Sequence, residues 1–127
     1  MVLPKSMRLK GHRCFDHIHK FGTRYHGSAM VIRVVRAKPG LTKFPSNQSK
    51  NQPGKCAVAI SNKVSKKAVI RNRLRRFLHN HLRERLSTSG DFMNHWTLIS
   101  LKPKCIYQDP TPLIEECDRL LCKAGLL

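Results

Sequence analysis

The chain has no long apolar run. None of its 127 residues belongs to anything like the ~18 consecutive apolar positions of a membrane span, so no transmembrane helix is expected. No apolar stretch follows Met1-Val2-Leu3-Pro4-Lys5, so no secretory signal is expected either. Acidic residues are scarce, 7 against 25 Lys and Arg. They are Asp16, Glu84, Asp91, Asp109, Glu115, Glu116 and Asp118. No pair among them is spaced for metal-assisted hydrolysis, and no Ser-His-Asp set presents itself. Both points argue against a nuclease that works alone. Aromatic residues make up 6%, so a cleft that stacks bases must use few rings. Five cysteines (Cys14, Cys56, Cys105, Cys117 and Cys122) are odd in number and scattered. They form no disulfide framework, and a reducing cytoplasm is the simplest home. Cys56 and Cys117 lie among apolar residues and read as small buried hydrophobes. His12, Cys14, His17 and His19 sit close together but match no zinc spacing, and on a helix they diverge. There are no repeats and no heptads.

What the chain has in excess is positive charge. The formal net charge is +18. Self-repulsion of that size works against a compact state, so it points to an anionic partner: nucleic acid, an anionic membrane surface or an acidic protein. The charge is concentrated in Lys63 to Arg85. At helical spacing, Ile70, Leu74, Phe77, Leu78 and Leu82 share one side. Asn72, Arg76, His79 and Arg83 form a row on the other, flanked by Arg73 and Arg75. Guanidinium groups match phosphate oxygens in pairs and stay charged at any working pH.

One domain is expected for this length, covering 1–127. A basic extended start (1–10) precedes a helix over about 13–21, with Phe15 and Ile18 on its apolar side and Gly22 as its stop. A strand is predicted over 28–35, with Met30, Ile32 and Val34 on one face. The Pro-, Gly- and Ser-rich stretch 37–54 reads as a flexible loop insertion. Strands follow at 55–61 and 95–101, on either side of the basic helix. Thr111 as N-cap and Pro112 then open a last helix. The order predicts an α+β fold, a small two-layer α/β sandwich with helices on one face of one sheet and a β-α-β crossover.

The run Arg71-Asn72-Arg73-Leu74-Arg75-Arg76 is more specific than a basic patch. It resembles the R-N-R signature of the bacterial ribonuclease P protein family. Leu3-Pro4-Lys5, Arg8-Leu9, Lys20-Phe21-Gly22, Ala57 to Lys63 and Leu101-Lys102-Pro103 are similar to other stretches of that family. The likeness spans about 3–122, without the 37–54 loop. It implies a mostly four-stranded sheet like the second domain of ribosomal protein S5, with a left-handed crossover, an exception to the usual rule. It implies an accessory subunit of an endoribonuclease whose RNA partner carries the catalytic groups. That assembly removes the 5′ leader from precursor transfer RNA and needs Mg2+, which the protein itself is not expected to bind.

The resemblance also assigns residues. Lys63, Lys66, Lys67, Arg71, Asn72, Arg73, Arg75, Arg76 and Arg83 are expected to bind the catalytic RNA. Arg8, Phe15, His19, Val31 and Arg33 are expected to bind the leader, with Phe15 stacking on a nucleotide. No catalytic residue and no protein-held metal is expected. Three positions depart from the family pattern. His19 and Arg33 stand where aromatics are usual, and His79-Asn80 replaces a common Arg-Glu pair. The alternative is a structural ribosomal-type RNA-binding protein. DNA reading by the basic helix is disfavoured, because a strand and a Lys-rich loop precede it rather than a partner helix and short turn. A membrane-surface helix is disfavoured by the lack of interfacial Trp on its apolar side.

Overall fold

β-Branched and aromatic side chains dominate Met30–Arg36 and His95–Leu101, and these two segments pair antiparallel at the centre of a sheet. In the computed structural model, which describes residues 7–37, 54–86, 90–107 and 109–127, the elements are α1 (His12–Phe21), β1 (Thr23–His26), β2 (Met30–Arg36), β3 (Lys55–Ala59), α2 (Ala68–Leu86), β4 (His95–Leu101) and α3 (Pro110–Lys123). Short 3-10 turns lie at Gly90–Phe92 and Pro103–Tyr107. The four strands run in the order β1-β2-β4-β3. β1 and β2 form an antiparallel hairpin. β3 lies parallel to β4, and α2 is the crossover between them. Outside β3, Arg8 makes a parallel bridge to Cys56, and the Leu9 N–H donates to the Cys56 carbonyl at 3.1 Å.

β4 carries large apolar side chains on both faces, so both faces need cover. Ile99 and Leu101 join Met30, Ile32, Cys56 and Val58 in the main core, beneath Leu78, Leu82 and Leu86 of α2 and Leu113, Cys117, Leu120 and Leu121 of α3. Trp96 and Leu98 point the other way, into a smaller cluster with Leu9 and with Cys14 and Ile18 of α1. Each fully buried Leu or Ile contributes about 1.5–3 kcal/mol. Helices on one face, as predicted, therefore holds for α2 and α3; α1 is the correction, lying against the opposite face.

Two further expectations change. β1 was not foreseen, because Thr23–His26 is mostly exposed and polar and shows no apolar alternation. The last helix starts at Pro110 with Asp109 as N-cap, two residues earlier than Thr111 and Pro112 placed it. A proline at the first helical position lacks only an N–H that the helix would leave unpaired anyway. Beyond its end, Gly125 turns the chain at φ 80°, a conformation glycine adopts at little cost. Residues 1–6 of the basic start and nearly all of the 37–54 loop lie outside the described residues.

Candidate nucleic-acid interface

α2 contains no Gly or Pro and is rich in Leu and Arg, which are good helix formers. It buries Leu78, Leu82 and Leu86 and leaves Ile70, Leu74 and Phe77 half-buried, so the buried stripe is turned toward the C-terminal leucines relative to the predicted one. Asn72, Arg73 and Arg76 are exposed, and Arg71, Arg75 and Arg83 are half-buried. Two of these side chains are held in place. Arg71 Nη1 donates to the Ser65 carbonyl at 2.8 Å, tying the helix to the loop before it. Arg75 Nη1 donates to Asn72 Oδ1 at 2.9 Å. Asn72, a poor helix former, thus orients an arginine from inside the helix and caps nothing.

The loop that feeds α2 is built on serines. Ser61 Oγ accepts from the Lys63 N–H, and Ser65 Oγ from the Lys67 N–H, both at 3.2 Å. These local turns set Lys63, Lys66 and Lys67, all exposed, ahead of the arginines. His79 leaves the predicted row. Its Nδ1 is buried and makes no hydrogen bond among the described residues. Burial lowers its pKa first, and the charges of Arg75 and Arg8 lower it further. A neutral ring therefore interrupts the cationic row between Arg76 and Arg83.

The opposite face of the sheet is only partly covered. Strand register places Arg24 opposite Arg33 and His26 opposite Val31. It also places Arg33 beside Leu98, and Val31 and Ala59 beside Ser100. α1 covers the end of this face with Trp96, Leu98, Val35 and Ala57. His17 packs edge-on over Trp96, with ring centroids 5.9 Å apart. The rest of the face stays open: Arg24, His26 and Ala59 are exposed, Arg33 and Ser100 half-buried, and Val31 buried as part of the floor. Arg33 Nη1 donates to Ser100 Oγ at 3.5 Å. Phe15 is half-buried against the Trp96 cluster, and His19 is exposed. Arg8 stands at the β3 edge, close enough to α2 for its charge to act on His79.

Phe15, His19, Val31 and Arg33 are thus associated with the α1 side of the sheet, and the arginines of α2 with the other. Arg24 and His26 were missed with their strand. The available signal was Gly27-Ser28 between Tyr25 and the apolar run, a weak hairpin turn.

That hairpin has a specific anchor. Glu116 of α3 is buried. Its carboxylate accepts from the Ser28 N–H at 3.0 Å, the Ser28 hydroxyl at 2.5 Å and the Ala29 N–H at 2.9 Å. Gly27 makes room for it: a Cβ there would lie 2.8 Å from the Glu116 carboxyl carbon. Lys102 closes the turn from the other side, Nζ donating to the Gly27 carbonyl at 2.7 Å and its N–H to the Ala29 carbonyl at 2.8 Å. On the same helix Asp118 takes His81 Nε2 at 2.7 Å and faces Arg85 Nε at 3.7 Å. Four of the 7 acidic residues, Asp109, Glu115, Glu116 and Asp118, lie on or at the start of α3. Most of the acidic charge is gathered there, and Asp16 is the one acidic residue on α1.

Cys14, Cys56, Cys105 and Cys117 are buried thiols outside any disulfide, and Cys122 is exposed. Burial pushes Cys56 and Cys117 up to about 12 and also raises Cys14 and Cys105. The thiolate is the reactive form. A maleimide is therefore expected to add once to the native chain, at Cys122, and five times in denaturant, as read by intact mass. Rapid native labelling of a second cysteine would show the core to be less closed than this.

The family described as Ribonuclease P matches residues 3–125 of the chain. The ribonuclease P protein component of a Prochlorococcus marinus strain is 58% identical over 127 residues, covering 100% of this chain and 99% of its own. That of Parasynechococcus marenigrum is 51% identical over 126 residues, covering 99% and 98%. Among solved structures, a mutant RNase P protein of Staphylococcus aureus superposes with a TM-score of 0.78 at 15% identity, covering 97% of this chain and 92% of its own. The RNase P protein of Thermotoga maritima gives 0.66 at 17%, covering 90% and 94%; both likenesses speak to the fold. With its R-N-R helix carried on that fold, the chain belongs to the ribonuclease P protein family, the protein components of an endoribonuclease that acts in transfer RNA 5′ processing.

Proposed function

We propose that this subunit bridges two RNAs. The arginines of α2 and the lysines of the preceding loop hold the catalytic RNA. The open sheet face beside α1 holds the single-stranded 5′ leader of precursor transfer RNA. The observation that carries the reading is the placement of cationic side chains on both sides of one sheet. Asn72, Arg73, Arg76 and Arg83 supply the first surface; Phe15, His19 and Arg33 supply the second. Arg8, at the border, serves either.

The chain's own part in the reaction is binding and orientation. Its best-placed carboxylates are already committed, Glu116 to the hairpin turn and Asp118 to His81 and Arg85. Among the described residues no group of three or more His, Cys, Asp or Glu side chains is placed to hold a metal ion. In this reading the magnesium that the holoenzyme needs is held by the RNA, and the phosphodiester is cut there. Holding the leader against one face while the RNA is fixed on the other places the scissile bond and lowers the entropy cost of reaching it. Cationic side chains also stand in for part of the counterion atmosphere.

Reconstitution tests this. The chain is added to a bacterial ribonuclease P RNA at low magnesium, where the RNA alone is expected to be nearly inactive. Leader release from a precursor transfer RNA is then followed. Rescue is expected, with affinity higher for substrate bearing a leader than for mature transfer RNA. Binding without rescue would instead favour a structural RNA-binding protein of ribosomal type.

A further inference from the structure

We infer that Arg24 and Arg33 together form a clamp for one phosphate of the leader. The inference rests on the leader-binding reading above and goes beyond it by naming a residue and the group it holds. The two arginines are directly opposed across the β1–β2 hairpin. Opposed side chains on one sheet face start from Cβ atoms only about 5 Å apart, and like charges in that relation destabilise the sheet. Neither guanidinium makes an ion pair with an acidic side chain among the described residues, and all 7 acidic residues lie within them. Arg33 leans the other way, toward β4, where it donates to Ser100. Arg24 is exposed.

A phosphodiester lying across β1 and β2 removes the repulsion and gives both forks an acceptor. Guanidinium and phosphate match in geometry as well as charge. A nucleobase would leave the charge unpaired. His26, exposed on the same strand and face, extends the polar track by one register step. Phe15 and His19 are rings on α1, the helix that covers part of this face. The hairpin that carries the pair is locked by Glu116 and Lys102, so the backbone positions of the two arginines are fixed opposite one another before any RNA arrives.

The test uses the reconstituted holoenzyme with Arg24→Gln and measures affinity for precursor transfer RNA with a leader and for mature transfer RNA without one. Arg24→Gln is expected to weaken leader-bearing substrate about tenfold, the weight of one charged hydrogen-bonding contact. Its salt dependence should fall by about one charge, and binding of mature transfer RNA should not change. The free variant should melt no lower than the parent, because a repulsion has been removed. A single methylphosphonate walked along the leader should cost the parent a similar factor at one position and cost the variant nothing more there. Equal loss on both substrates, or none on either, while the parent still prefers the leader, overturns the clamp and leaves leader binding intact. A parent holoenzyme with no leader preference overturns both.

Discussion

Rescue at low magnesium is expected to be lost when Arg73 and Arg76 are both replaced by alanine. Both side chains are exposed on α2, and among the described residues neither makes a hydrogen bond or ion pair. Alanine is the better helix former, so the variant should fold as stably as the parent, within about 0.5 kcal/mol. A charged hydrogen bond to phosphate is worth about 1.5–3 kcal/mol. Two of them lost together should weaken the catalytic-RNA complex by roughly two to four orders of magnitude. The slope of affinity against salt should flatten by about two charges. A titration of RNA binding at several salt concentrations, beside the cleavage assay, separates lost contacts from lost folding. Lys123→Ala, at the end of α3 and exposed, is the control and should be near neutral in both. Full rescue by the double variant would remove α2 from the proposed interface. Arg71 is a poorer probe: it also holds the Ser65 carbonyl, so its loss would loosen the lysine loop as well.

Glu116→Ala is expected to destabilise the protein more than any surface change. The carboxylate is buried and serves two backbone N–H groups and one hydroxyl. Its removal leaves the buried Ala29 N–H unsatisfied beside a new void, while the exposed Ser28 can turn to water. An unsatisfied buried group costs about 1–3 kcal/mol, so a total of about 3 kcal/mol and a fall in Tm of roughly 10 °C are expected. Glu116→Gln should recover part of this, because its amide oxygen still accepts while its NH2 opposes a donor. The loss should also reach function, because the hairpin carries Arg24 and Arg33. Urea unfolding checks the first effect, and leader-dependent substrate affinity the second. A Glu116→Ala chain that melts with the parent would show that the turn does not depend on this carboxylate.

The α2 surface and the hairpin anchor differ in how far the sequence reveals them. Ile70 to Leu86 is long and free of Gly and Pro, so its helix and the outward placement of Asn72, Arg73 and Arg76 are legible in one dimension. The contiguous R-N-R run carries the resemblance to the family. The α+β order, both central strands and the buried state of Cys56 and Cys117 are likewise local consequences of pattern. Net charge and the lack of paired carboxylates determine the class of partner.

Only the fold decides the rest. β1 is four residues whose stability comes from its partner strand and from Glu116, 88 residues away from Ser28 in the chain; no local pattern encodes that pairing. The opposition of Arg24 and Arg33 exists only through register. The turning of His79 inward comes from packing around α2 that its own sequence does not hold. α1 lies on its own face because β4 exposes Trp96 and Leu98 there, and a helix wheel cannot say which face of a sheet a helix will meet. Local periodicity determines what each segment is; long-range pairing and burial decide which side chains meet.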